Sequence, residues 1–128
     1  MTILLVEDDE DDKKLFCEAT GEVDKAITCI TAGDGKEALA YLRGKDHDLP
    51  DFIFLDLRMQ GMSGKQCLKE IKQDPRLKPV PVIVYTTSRD VKESRELKIL
   101  GAAHFMSKPS SPDEVYYLIS FVLGEIWN

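Results

Sequence analysis

Six acidic side chains in a row, Glu7, Asp8, Asp9, Glu10, Asp11 and Asp12, follow directly on a short apolar segment, and another carboxylate, Asp56, follows the apolar run that ends at Leu55. If the fold gathers such groups, two like charges about 4 Å apart repel by roughly 4 kcal/mol at an effective dielectric of about 20. The cluster must then raise its pKa values or recruit a cation, and a divalent hard ion is the simpler solution. Oxygen ligands with room for water suit Mg2+ or Mn2+, whereas the lack of nearby His or Cys disfavours zinc. Two other apolar runs end in Thr86, Thr87 and Ser88 and in Ser107, Lys108 and Pro109. A hydroxyl donor and an ammonium beside a metal-bound carboxylate make a site for a dianionic phosphoryl group. Singly each residue is ordinary, since an isolated Asp is most often a helix cap or a solvated loop residue. The chemistry depends on whether the chain folds them onto one edge.

The elements that would do so are legible. Short β-branched runs alternate with longer amphipathic stretches, so that Thr2 to Val6, Ala26 to Thr31, Asp51 to Leu55, Val80 to Thr86 and Ala103 to Ser107 read as strands with five helices between and after them. Asp34 with Glu37, and Ser111 with Glu114 behind Pro112, fit capping boxes, while Gly21, Gly44 and Gly101 suit helix C-terminal turns. Strands three and four are nearly continuous apolar runs, as expected of parallel strands covered by helices on both faces. Strict alternation then predicts a three-layer α/β fold, a doubly wound (βα)5 parallel sheet of order 2-1-3-4-5. Such sheets bind ligands beyond the carboxyl ends of the strands where the winding reverses, here between strands one and three. Strand one runs into Glu7 and Asp8, and strand three into Asp56. Strands four and five run into Thr86 and Lys108.

Bulk properties narrow the function further. The 128 residues fit one domain spanning 1–128, which can bury roughly two thirds of its unfolded surface. A content of 43% hydrophobic and 31% charged residues is a soluble globular balance. The net charge of −6 argues against direct nucleic-acid binding, which rests on Lys and Arg neutralising phosphates. Cys17, Cys29 and Cys67 are far apart and odd in number, so they suggest neither a disulfide framework nor a zinc ribbon and read as small core residues. The apolar stretch Ile3 to Val6 is too short for a signal peptide, and nothing approaches a membrane span of about 20 apolar residues. A cytoplasmic location is expected.

Leu5-Val6-Glu7-Asp8-Asp9, Phe54-Leu55-Asp56-Leu57-Arg58-Met59, Val84-Tyr85-Thr86-Thr87-Ser88 and Phe105-Met106-Ser107-Lys108-Pro109 together resemble the motifs of the response-regulator receiver family. The likeness covers essentially the whole chain and implies the flavodoxin-like version of the fold above. It implies that Asp56 is the phosphoacceptor, taking a phosphoryl group from a histidine kinase, a phosphotransfer protein or a small phosphodonor in a Mg2+-dependent reaction. By the same resemblance Asp8 is a direct metal ligand with Glu7 as its acidic companion, and the backbone carbonyl of Arg58 is a third protein ligand. Thr86 becomes the switch hydroxyl, Lys108 the ammonium that pairs with the phosphoryl oxygens, and Phe105 the aromatic switch. The Lys108–Pro109 bond is expected to be cis. Arg58 and Ser88 occupy positions that set the lifetime of the phosphate. One departure is Gln60 where the family usually has Pro, with Gly61 and Gly64 keeping the loop geometry.

The last helix carries Val115, Leu118, Ile119, Val122 and Ile126 as an apolar stripe, yet Tyr116, Tyr117 and Phe121 lie elsewhere around it. That excess of apolar surface points to a covered face, a contact with a second copy or a protein partner. The resemblance to the receiver family implies that activation is read on the face made by helix four, strand five and helix five. No output domain is expected, so the expected action is through protein contacts, and not as an enzyme beyond self-phosphorylation and self-dephosphorylation. Aspartyl-phosphate hydrolases of the haloacid dehalogenase type want a second Asp two residues after the nucleophile, where this chain has Arg58. A flavin carrier wants an anion-friendly loop after strand one, which the acidic run denies.

Overall fold

Five strands and five helices alternate among the described residues of the computed structural model, which are 1–87, 90–109 and 111–127, the side chains of 125–127 excepted. In order they are β1 (Thr2–Val6), α1 (Glu10–Val23), β2 (Thr28–Ala32), α2 (Gly35–Arg43), β3 (Phe52–Leu55), α3 (Gly64–Gln73), β4 (Val82–Thr86), α4 (Val91–Ile99), β5 (His104–Ser107) and α5 (Pro112–Trp127). All strand pairs are parallel and the sheet order is β2-β1-β3-β4-β5. This is the doubly wound, flavodoxin-like sheet expected from the alternation, with the reversal of winding between β1 and β3.

The twofold alternation of side chains divides the core between the sheet's two faces. Leu4, Val6, Ile53, Leu55, Val82 and Val84 face α2, α3 and α4, meeting Leu39, Leu42, Leu68, Ile71 and Leu97. Ile3, Leu5, Phe52, Phe54, Ile83 and Tyr85 face α1 and α5, meeting Phe16, Val115, Ile119, Val122 and Leu123. Every residue of β3 and β4 is buried, which is why those two sequences read as unbroken apolar runs. Phe16, Phe54 and Tyr85 form an edge-to-face group under α1, with Phe16 and Phe54 centroids 4.9 Å apart.

Helix starts follow local chemistry. Asp34 caps α2 by accepting from the Glu37 amide at 2.8 Å, and Glu37 reaches back to the Gly33 amide at 2.9 Å. Ser111 accepts from the Glu114 amide at 3.4 Å, as its capping box requires. Gly101 follows α4 with φ of +112°, a backbone conformation that favours glycine.

Three expectations need correction. Gly21 does not end α1, which runs on to Val23 and stops at Asp24, whose side chain accepts from the Ala26 amide at 2.9 Å. One interior glycine costs a helix about 1 kcal/mol, and burial of Phe16, Ala19 and Thr20 outweighs that. Strand β2 begins at Thr28 and not Ala26, because an edge strand that is half exposed carries a weak apolar pattern. No cis peptide bond occurs among the described residues, so Lys108–Pro109 is trans, the isomer that X–Pro bonds favour by about 0.5–1 kcal/mol. No helix among these residues is long and apolar enough to cross a membrane.

Candidate functional site

The register of the sheet gathers the acidic residues. Val6 of β1 lies beside Leu55 of β3, and the Asp56 amide donates to the Val6 carbonyl at 3.0 Å, so Glu7 and Asp56 leave their strands as neighbours. One oxygen from each of Glu7, Asp8 and Asp56 lies within 4.8 Å of the others. Glu7 and Asp56 are 1% and 6% exposed, whereas Asp8 faces outward. The rest of the acidic run serves the helix: Asp9 caps α1 by accepting from the Asp12 amide at 2.9 Å, and Glu10, Asp11 and Asp12 fill its first turn, where the helix dipole favours negative charge.

Backbone amides fix these carboxylates. Glu7 Oε2 accepts from the amides of Asp8 and Asp9 at 3.0 and 3.4 Å. The loop after β3 supplies the Arg58 amide to Asp56 Oδ1 at 3.4 Å and the Gln60 amide to Asp8 Oδ2 at 3.3 Å. Gly61 in this loop has φ of +80°. Gly64 opens α3 against it, so close that a Cβ would overlap the Asp56 carbonyl oxygen and lie 2.6 Å from Leu57 Cα.

Thr86 ends β4 fully buried and lies opposite Ser107 of β5, and the Lys108 amide donates to the Thr86 carbonyl at 2.7 Å. That link aims the Lys108 side chain at the pocket, where its ammonium donates to Glu7 Oε1, to Asp12 Oδ2 at 3.1 Å and to Asp56 Oδ2 at 3.3 Å. Burial alone would lower the Lys108 pKa, but the hydrogen bond to Glu7 and the charges of Asp56 and Glu7 outweigh it and hold the group above its ordinary value. The Glu7 carboxyl is pushed up to about 7, chiefly by burial, against the Lys108 hydrogen bond and with the Asp56 charge adding to it. Crowding of the carboxylates is thus met within the chain by the Lys108 ammonium, and the raised Glu7 pKa owes more to burial than to the neighbouring Asp56 charge.

Sequence reasoning counted Asp12 only as part of the acidic run, yet its half-exposed side chain is the third partner of Lys108. The available signal was its place in the first turn of α1, which starts beside Glu7. Arg58 is exposed beyond Asp56. Phe105 is half-buried against the core under α4, and with Asp90, Val91, Ser94 and Ser107 it lines an open depression of about 370 Å³. Thr87 is exposed, and Ser88 lies outside the described residues. On α5, Val115, Ile119 and Val122 are buried as the stripe predicts, Leu118 is partly buried, and the Ile126 side chain is outside the described set.

The donor set of Glu7, Asp8 and Asp56 is made of hard carboxylate oxygens, without thiol or imidazole. Such a set fits a divalent cation of the Mg2+ or Mn2+ class, which takes oxygens at about 2.0–2.1 Å and keeps several waters. The outward Asp8 leaves the solvent side open for those waters and for a further ligand.

Comparison with known proteins agrees with this geometry. The family model of the response regulator receiver domain matches residues 3–120. Response regulator Rcp1 of Synechocystis is 40% identical over 106 residues, 76% of this chain and 71% of that protein. The polar-differentiation response regulator DivK of Brucella ovis is 31% identical over 127 residues, 97% of each chain. Among solved structures, the phosphorylated cyanobacterial phytochrome response regulator RcpA matches with a TM-score of 0.87 at 32% identity, over 95% of this chain and 90% of that one. The Mn2+-bound form of Rcp1 matches with a TM-score of 0.82 at 30% identity, over 96% and 91%.

Proposed function

The chain belongs to the response regulator receiver domain family of two-component signalling, and we propose that it accepts a phosphoryl group on Asp56 in a Mg2+-dependent reaction. The observation that carries this reading is the setting of the buried Asp56 carboxylate, 3.3 Å from the Lys108 ammonium and within reach of the Glu7 and Asp8 oxygens. A relative described in a phosphorylated state and another described with Mn2+ support it.

An Asp56 oxygen attacks the phosphorus of a phosphohistidine on a histidine kinase or phosphotransfer protein. The P–N bond breaks, imidazole leaves, and an acyl phosphate forms. A Mg2+ ion held by Glu7, Asp8, Asp56 and the Arg58 backbone carbonyl, or Mn2+ in its place, would neutralise charge on the phosphoryl oxygens. Lys108 gives up its bond to Asp56 and donates to a phosphoryl oxygen, keeping Asp12 as its anchor. The Thr86 hydroxyl donates to another, and because Phe105 borders open space near α4, that shift at the end of β4 is passed to the Phe105 ring. No external substrate is turned over. The signal is read where α4, β5 and α5 meet, the region of the exposed side chains Val91, Tyr117 and Phe121, by a protein partner or a second copy.

Intact mass after incubation with Mg2+ and acetyl phosphate tests the reading. The wild type should gain one labile phosphoryl group, and Asp56→Asn or omission of the metal should abolish the gain. An unchanged wild-type mass, or a gain that survives in Asp56→Asn, overturns it.

A further inference from the structure

The three cysteines separate into two environments. Cys67, on α3, is fully buried. Cys17 on α1 and Cys29 on β2 are only partly buried, and their sulfurs lie 2.6 Å apart. Two sulfur atoms at ordinary van der Waals contact are farther apart than this, and a covalent S–S bond is about 2.05 Å. The two residues come from different elements, since α1 covers the face of the sheet to which Cys29 contributes. Their side chains are therefore aimed at each other by the fold, with little further movement required for a bond.

We propose that Cys17 and Cys29 are an oxidation site that closes reversibly to an intramolecular disulfide when the protein meets a hydroperoxide. The chemistry balances with hydrogen peroxide as oxidant. The Cys17 thiolate attacks one peroxide oxygen and the O–O bond breaks, giving a Cys17 sulfenic acid and a hydroxide that takes up the proton Cys17 gave up. The Cys29 thiol then attacks the Cys17 sulfur, the S–S bond forms, and water leaves with the sulfenic oxygen and the Cys29 proton. Two thiols lose two electrons and one peroxide becomes two waters. The assignment of Cys17 as the attacking sulfur agrees with its environment: the hydrogen bond with Cys29 lowers the Cys17 pKa and raises that of Cys29.

Position gives the bond a consequence. Cys29 pairs with Ile3 at the amino end of β1, four residues before Glu7, or roughly 13 Å at about 3.3 Å per residue. The bridge would tie the middle of α1 to the edge strand of the sheet without entering the acidic pocket. It therefore stands independently of the phosphoryl chemistry, and Mg2+-dependent labelling of Asp56 serves only as a control for the fold.

The test treats the full chain with hydrogen peroxide, denatures it and alkylates the remaining thiols. The oxidised protein should be about 2 Da lighter and should take up alkyl groups at Cys67 alone, with a linked Cys17–Cys29 peptide pair and a higher thermal midpoint. Dithiothreitol should restore alkylation at all three cysteines. Cys29→Ser should leave a Cys17 sulfenic acid that reacts with dimedone, and no loss of mass through an intramolecular bond. Three alkylatable thiols after peroxide, or over-oxidation of Cys17 or Cys29 without the linked peptides, overturns the proposal.

Discussion

Glu7 is the residue at which burial and charge are most at odds. Its carboxyl is raised from 4.5 to about 7, burial being the largest cause. A carboxyl whose folded pKa lies above its unfolded one binds its proton more tightly in the native state. Its contribution to stability is full below about pH 4.5 and is lost as pH rises through about 7. Glu7→Gln keeps the shape of the protonated form without the titration. In chelator, the thermal midpoint of the wild type should therefore fall relative to Glu7→Gln between about pH 5 and pH 8, by an amount corresponding to at most roughly 3 kcal/mol. Saturating Mg2+ should narrow the gap, because an ion favours the ionised carboxylate. Parallel profiles in chelator would refute this account of the pocket. Arg58 makes a different kind of contribution. It is exposed, and the bond it offers Asp56 comes from its backbone amide, so a change of side chain leaves that bond in place and tests the proposed role of position 58 in the lifetime of an acyl phosphate. Arg58→Ala should shift the decay rate of phosphorylated protein a few-fold while labelling still occurs; an unchanged decay rate would defeat the assignment.

At the scale of elements, the pocket depends on how tightly α3 approaches the loop after β3. Gly64 tolerates no side chain there, because the atoms that a Cβ would meet are backbone atoms of Asp56 and Leu57, which cannot swing away. Gly64→Ala should destabilise the protein by about 1–3 kcal/mol and displace the Asp56 loop. Both chemical denaturation and Mg2+ affinity read this out, and wild-type values for the two would contradict the close approach. The strands that carry the site were legible because β3 and β4 are buried on both faces and β1 on both from Ile3 onward, which leaves unbroken apolar runs. Boundaries blurred where burial is partial, as on β2, and where packing overrides propensity, as at Gly21. Glu7, Asp8, Asp56, Thr86 and Lys108 could be placed because each lies at a strand end or just beyond one. Asp12 and the Cys17–Cys29 contact could not, because both depend on how α1 is rotated over the sheet, which strand order alone does not fix.

For the molecule as a whole, α5 has more apolar surface than the sheet can cover. Val115, Ile119, Val122 and Leu123 are buried beneath it, yet Tyr117 and Phe121, one helical turn apart, remain 69% and 65% exposed. Lone exposed apolar residues are common, but two aromatic rings adjacent on one helix are the kind of anchor that protein contacts favour. Because neither ring is part of the buried core, replacing both by Glu should leave the folded state nearly unchanged, within about 0.5 kcal/mol for each exposed position. What the charges would oppose is the approach of a second apolar surface. The doubly substituted protein should thus keep the wild-type thermal midpoint and Mg2+-dependent labelling of Asp56 but sediment at lower average mass, or lose capture of a protein partner where the wild type is monomeric. Unchanged mass together with unchanged partner binding would return the two rings to the ordinary surface.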